Sequence, residues 1–124
     1  MKRFLLTLTA TLAMVGCAHW LCADEVKQEL VVSGGKYRAR VIERNCGAMT
    51  HFVTVVELMK RSLLLSRREE VFHAVNSHEL TLGWQRQNLL RIECRDCSKA
   101  EIRDKLPSAF GIEIEYTLPN DRDP

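Results

Sequence analysis

Apolar and polar side chains alternate along four separate stretches of this chain, and no other feature restricts its fold as strongly. A period of two is typical of a strand with one face in the core and the other in water. A fifth stretch, residues 52–58, is more continuously apolar, which predicts a strand at the centre of a sheet. The four alternating stretches are residues 37–41, 80–85, 90–94 and 112–118. The chain is therefore predicted to be mainly β.

Short turn sequences separate the predicted strands. Residues 33–35 contain two glycines, and residues 76–78 and 87–88 contain asparagine, and both residue types are favoured in tight turns. Connections this short predict antiparallel hairpins. We expect about seven short antiparallel strands, arranged either as a meander sheet or as a small sandwich.

Two segments do not follow the alternation. Ser98 and Glu101 have the spacing of a capping box, which predicts a short helix over residues 99–105 that Pro107 brings to an end. Residues 60–70 contain three consecutive leucines with two basic residues on either side. For this second segment the sequence is compatible with a loop, an edge strand or a helical turn.

The N-terminal segment, residues 1–23, has the composition of a bacterial export signal. Lys2 and Arg3 precede an uncharged apolar run of about a dozen residues, which is shorter than the ~20 residues of a membrane span. Three interpretations stay open: cleavage before Cys17, which would then be lipidated; cleavage after Ala23, which would release a soluble protein; or an uncleaved anchor. All three place the domain outside the cytoplasm, and alanine rather than aspartate after Cys17 favours the outer membrane.

The rest of the chain is close to electrical neutrality. The whole sequence has 18 basic and 16 acidic side chains in 124 residues. Without Lys2 and Arg3 the counts are 16 and 16, so no basic excess remains for a phosphate backbone and nucleic acid is not an expected partner. No repeat or linker divides the sequence. We expect one β-rich domain over residues 24–119, followed by a polar tail at residues 120–124.

A short motif precedes the continuously apolar strand. It reads Asn45-Cys46-Gly47-Ala48-Met49-Thr50. The motif resembles the Cys-Gly-Ala-Thr-Thr core of a widespread family of small, uncharacterised bacterial exported proteins and lipoproteins, in which threonine usually stands at the position of Met49. The resemblance covers residues 37–118 and includes residues 71–75, 80–84, 89–92 and 111–116. It implies an exported β-rich domain and no particular activity.

Four cysteines remain if Cys17 is lipidated, and they allow three pairings. They are Cys22, Cys46, Cys94 and Cys97. The disulfide candidates are Cys46, Cys94 and Cys97, because a bond from Cys46 to either of the others would close a loop of about fifty residues, worth ~4 kcal/mol in the chain-entropy model. Cleavage after Ala23 would remove Cys22 and leave one cysteine over.

Cys94 and Cys97 also form a Cys-x-x-Cys pair, a spacing found in thiol–disulfide exchange and in zinc sites. Redox enzymes place the first cysteine at a helix N-terminus, whereas Cys94 ends a predicted strand. Zinc would need two further ligands, for which His51, His73 and His78 are available. No phosphate-binding loop, nucleophile elbow or paired helical histidines occur, so the sequence predicts no catalytic residue and no cofactor.

These observations favour a non-enzymatic exported domain, tethered to the membrane on the periplasmic side of the cell envelope. Its expected role is binding or structural support, with an envelope protein as its partner. The alternative is an envelope thiol-redox or metal-binding protein that uses Cys94 and Cys97.

Overall fold

The computed structural model describes residues 22–32, 34–47, 51–76 and 78–119, and Cys17 and the polar tail lie outside these residues. The described part contains nine strands and no α-helix, which confirms the prediction of a mainly β fold. The strands are β1 (Ala23–Val31), β2 (Tyr37–Asn45), β3 (Val53–Arg61), β4 (Ser66–Val75), β5 (Leu80–Arg86), β6 (Leu89–Cys94), β7 (Ile102–Lys105), β8 (Ser108–Ala109) and β9 (Ile112–Thr117). None of the described residues belongs to a helix with the length and apolarity that crossing a membrane requires.

The strands form two sheets. Strands β1 to β4 make an antiparallel meander, and β7 adds to the edge of β4, so that the order is β1-β2-β3-β4-β7. The apolar strand β3 is central, as predicted. The second sheet has the order β5-β6-β9-β8, and its β6 and β9 run parallel. This parallel pair differs from the expectation of antiparallel pairing throughout.

One core lies between the two sheets. Alternate side chains of β2, β5, β6 and β9 are buried in it, as the period of two predicted. The Phe72 and Tyr116 rings, from different sheets, lie 5.8 Å apart between centroids, and the Tyr116 hydroxyl contacts the carbonyl oxygens of Leu106 and Val71 at 2.6 and 3.1 Å. The fully buried members of this core include Ala39, Val56, Leu58, Val71, Phe72, Ala74, Leu90, Ile92 and Cys94.

The predicted helix over residues 99–105 is wrong. The Ser98 hydroxyl donates to a Glu101 carboxylate oxygen at 2.6 Å, and the Glu101 N–H donates to the Ser98 carbonyl at 3.0 Å. These bonds close a single turn and are not the side-chain-to-backbone pair of a capping box. The chain then continues as β7, which pairs with β4 at residues 72–74. A helix of seven residues gains little on its own, whereas β7 satisfies the backbone groups along the edge of β4.

The hairpin predicted across residues 76–78 is also wrong, because β4 and β5, which flank this turn, belong to different sheets. The chain turns this corner at Asn76, whose φ is 76°, and the buried Thr54 side chain holds it there. The Thr54 hydroxyl donates to the Asn76 carbonyl at 3.0 Å and accepts from the His78 backbone N–H at 3.0 Å. A turn sequence marks a change of direction, and it does not specify which strand pairs next.

The undecided segment, residues 60–70, is a hairpin. Strand β3 continues to Arg61, β4 begins at Ser66, and Ser62 to Leu65 form the turn between them. The hairpins across residues 33–35 and residues 87–88 form as predicted.

Candidate functional site

The cysteine–histidine cluster consists of Cys94, Cys97, His78, Asp96 and Glu101, and it lies where the corner after β4 meets the end of β6. The last residue of β6, Cys94, is disulfide-bonded to Cys97 three residues later. Both cysteines are buried, with relative exposures of 0% and 1%. An Asp96 carboxylate oxygen lies 3.3 Å from the Cys94 sulfur. The bond therefore closes a small loop with its sulfurs in the core and Asp96 above it.

The His78 imidazole lies between two carboxylates, and only 7% of its side chain is exposed. Its Nε2 lies 2.7 Å from a Glu101 oxygen and 2.8 Å from the Val75 carbonyl oxygen, while its Nδ1 lies 3.1 Å from an Asp96 oxygen. Burial by itself lowers the pKa of His78, but the Asp96 carboxylate, the Val75 carbonyl and the Glu101 carboxylate outweigh it, so the net pKa is raised. The protonated imidazole is thus favoured in this setting.

Glu101 fixes the orientation of this histidine. Its carboxylate accepts hydrogen bonds from the Ser98 hydroxyl at 2.6 Å and from the Asn76 amide at 2.9 Å, in addition to its contact with His78. These donors, Ser98 first, then Asn76 and His78, lower the pKa of Glu101 to about 2. The carboxylate is therefore ionised at neutral pH, and it holds the Nε2 side of the ring while Nδ1 faces Asp96 at 3.1 Å.

The second disulfide joins Cys22 to Cys46, at the rim of the five-stranded sheet. These residues flank the first register pair of β1 and β2, Ala23 opposite Asn45. Cys22 is exposed and Cys46 is half-buried. The predicted bond from Cys46 to Cys94 or Cys97 is therefore wrong, because β2 and β6 lie in different sheets while Cys22 is the direct cross-strand neighbour of Cys46.

The histidines considered as zinc ligands do not come together. His78 alone joins the cysteines, while His51 is exposed before β3. His73 lies on the outer face of the first sheet, where its Nε2 is 2.6 Å from a Glu70 oxygen. Glu70 also accepts from Arg44 at 2.6 Å, and Arg44 in turn donates to Asp24 at 2.9 and 3.2 Å. This outer-face network crosses three strands beside the Cys22–Cys46 bond.

The chain was compared with protein-family models, with curated proteins and with solved structures. None of them matches it. The assignment of a function therefore depends on the geometry of the described residues.

Sequence reasoning identified the two cysteines and His78 as candidates, but not the acidic side chains around them. Asp96 stands inside the Cys-x-x-Cys motif, and Glu101 was interpreted only as part of a helix cap. The signal for Glu101 was its three-residue spacing from Ser98, which does produce a hydrogen bond. Asn76 and His78 contact Glu101 because the chain turns a corner between the two sheets after β4. The local sequence does not predict this corner.

Proposed function

We propose that this protein is an exported β domain, tethered on the periplasmic side of the cell envelope through a lipid on Cys17, that acts by binding or structural support. The Cys22–Cys46 bond is the observation that carries this proposal. Disulfides form and persist in oxidising compartments, and they are rare in the cytosol. Neither the described residues nor the comparisons give any positive indication of enzymatic activity.

The same bond supports one interpretation of the N-terminal segment over another. Cleavage after Ala23 would remove Cys22 and leave Cys46 without its partner. Cleavage before Cys17 keeps Cys22 and leaves only four residues between the lipidated residue and the first residue of the disulfide. Retention of Cys22 therefore favours the lipidated N-terminus over release of a soluble protein.

Intact mass of the protein isolated from the cell envelope tests this proposal. We expect loss of residues 1–16 and the added mass of acyl chains on Cys17. Cys17→Ser should release the protein from the membrane fraction or leave its signal uncut, whereas Cys22→Ser, a change of the same chemistry five residues later, should leave the tether intact. A mature protein that begins at Asp24 without acyl mass would contradict the proposal, and an unprocessed chain would indicate an uncleaved anchor.

A second candidate function, zinc binding at the cysteine–histidine cluster, is favoured by one specific observation. His78 Nδ1 is buried and has no hydrogen-bond partner among the described residues, although an Asp96 oxygen lies 3.1 Å away. One ligand atom from each of His78, Cys94, Asp96 and Cys97 lies within 4.8 Å of the other three. A carboxylate on the far nitrogen of the ring, here Glu101, is the usual support of a metal-bound histidine.

This candidate requires the reduced protein. A dithiol donor would transfer two electrons and two protons to the Cys94–Cys97 bond, which gives two thiols and oxidises the donor to its own disulfide. Zinc would then displace the two thiol protons and the proton on His78 Nδ1, and would bind the two thiolates and the neutral imidazole.

The test for zinc uses protein that has been unfolded, reduced and refolded anaerobically with zinc or cobalt. Binding of one metal per chain, with sulfur-to-cobalt charge-transfer absorption that weakens in His78→Ala but not in His73→Ala, would support the site. Refolded protein that takes up no metal would remove this candidate and leave the bond a structural one.

A further inference from the structure

The leucine tip, defined as Ser62 to Leu65 at the end of the β3–β4 hairpin, is the most apolar exposed surface among the described residues. The relative exposures of Leu63, Leu64 and Leu65 are 104%, 93% and 70%. Single exposed apolar residues are ordinary, but three consecutive leucines at a protruding turn form a patch of the kind that marks an interaction site.

The leucine side chains are not needed to form this turn. Ser62 closes it with both its backbone and its side chain: the Ser62 N–H donates to the Leu65 carbonyl at 3.2 Å, and the Leu65 N–H donates to the Ser62 hydroxyl oxygen at 3.1 Å. A polar residue at positions 63 to 65 would leave these bonds in place. Exposure of the leucine side chains to water therefore costs free energy, and the turn does not need these side chains to form.

Positive charge surrounds the base of the tip. Lys60 and Arg67 stand directly opposite each other in the register of β3 and β4, an arrangement of like charges that destabilises a strand pair. Among the described residues, no acidic side chain forms an ion pair with five of the six cations at this end of the sheet. The sixth, Arg38, is paired with Glu29 at 3.1 Å, and Arg40 and Arg44 nearer the middle and far end are also paired. The five cations are Lys36, Lys60, Arg61, Arg67 and Arg68.

We propose that the leucine tip docks on an anionic phospholipid surface. The leucines would enter the boundary between headgroups and acyl chains, and the cations at their base would lie at the level of the phosphates. A convex apex surrounded by cations fits a deformable anionic surface. A protein partner would instead need a groove with an acidic rim.

The orientation of the domain on the membrane, unlike the docking itself, rests on the proposed lipid tether. The tip lies beside the β1–β2 turn, because the Arg61 N–H donates to the Lys36 carbonyl at 2.8 Å. Cys22 lies at the opposite end of β1, whose nine residues span roughly 30 Å. Tether and tip can therefore reach one bilayer together when β1 lies at a shallow angle to its surface.

The test uses the mature chain, residues 17–124 with Cys17→Ser, so that neither the apolar N-terminal run nor a lipid contributes to binding, and Leu64→Trp as a reporter at the tip. The probes are vesicles of phosphatidylcholine alone, or of phosphatidylcholine and phosphatidylglycerol in equal parts, each with brominated acyl chains. We expect quenching of the added fluorescence in the anionic vesicles, decreasing with salt, and little in the neutral ones. The same chain without Leu64→Trp gives the background from the native tryptophans.

Matched charge variants localise the effect. Arg67→Gln/Arg68→Gln should weaken partitioning into anionic vesicles by about fivefold for each cation removed, because a basic residue near such a surface contributes about that factor. Lys99→Gln/Arg103→Gln removes the same charge from exposed positions far from the tip and should change partitioning little. Replacing Leu63 and Leu65 with serine should reduce insertion at least about tenfold. Melting temperatures should stay at or above the wild-type value in all tip variants.

Equal partitioning of the two charge variants, or an added tryptophan quenched no more than the background, would overturn the lipid proposal. Crosslinking of position 64 to a single envelope protein in cells, without vesicle insertion, would overturn it in favour of a protein partner. Because the reporter is at the tip, these results do not depend on whether Cys17 is lipidated.

Discussion

The two disulfides differ in what they join and in what surrounds them. Cys22–Cys46 connects two strands that are 24 residues apart in sequence, and it lies at a sheet rim with Cys22 exposed. Cys94–Cys97 spans three residues, and both of its cysteines are buried in the core between the sheets. The first bond restrains the chain over a long loop and is open to solvent, whereas the second fixes a local turn and is protected by packing. Experiments should therefore distinguish the two bonds by their rates of reduction and by their contributions to stability.

The largest difference is expected in reactivity. Under native conditions a small dithiol reaches the sulfurs at the rim directly, but it reaches Cys94 and Cys97 only when the core opens. We predict that the buried bond is reduced at least about a thousandfold more slowly, following the low population of unfolded protein. Alkylation after timed reduction, followed by peptide mass analysis, measures both rates. Comparable rates would contradict this protection and would favour the thiol-redox alternative for Cys94 and Cys97.

Removal of the rim bond should give the largest change in stability. Cys22→Ala/Cys46→Ala opens a loop of about 25 residues, for which the chain-entropy model gives a loss of about 3.5 kcal/mol in the free energy of unfolding. Urea denaturation of oxidised protein checks this value. Reductant should then lower the stability of the wild type by more than that of the double variant. A loss below about 1 kcal/mol would mean that the strands β1 and β2 are already held by their hydrogen bonds.

The contrast between the disulfides also explains what the sequence could predict. The period of two located most of the strands, because it is a local property of each strand's inward and outward faces. Pairing is not local: the sequence predicts the turn at residues 33–35 but not how far the strand before it extends. The position of Cys22 beside Cys46 was therefore missed, and Cys46 was assigned to the wrong partner. β7 was hidden for the same reason, since an edge strand of four residues depends on β4 rather than on its own pattern.

A smaller effect is predicted for the side chain that supports the buried bond. The His78 ring connects the corner after β4 to the loop that Cys94 and Cys97 close, through contacts with Val75, Asp96 and Glu101. His78→Ala should lower the free energy of unfolding by about 1–3 kcal/mol, because the buried imidazole and its Nε2 contacts with Glu101 and Val75 would be lost. His73→Ala is the matched control, and its more exposed contact with Glu70 should be worth less. Equal losses in the two variants would show that His78 does not brace the corner.

The smallest predicted effect concerns acid and the polar network beside the rim bond. Hydrogen bonding from Arg44 lowers the pKa of Glu70 below its usual 4.5, an effect that outweighs its partial burial and that His73 reinforces. A carboxyl whose folded pKa is lowered contributes stability that is fully present above its unfolded pKa and is lost as the pH falls through the folded value. Wild-type stability should therefore decrease below about pH 4.5, and Glu70→Gln should remove part of that decrease while it costs less than about 1 kcal/mol at neutral pH.

Glu69→Gln provides the comparison for this last prediction, because Glu69 is exposed and forms no ion pair with another described residue. Glu69→Gln should leave the decrease in stability at acidic pH unchanged. Chemical denaturation at a series of pH values, with the disulfides kept oxidised, measures both profiles. If Glu70→Gln and Glu69→Gln lose stability equally on acidification, then the Asp24–Arg44–Glu70 network adds nothing to stability at the rim, and the Cys22–Cys46 bond and the backbone pairing of β1 with β2 hold that end of the sheet.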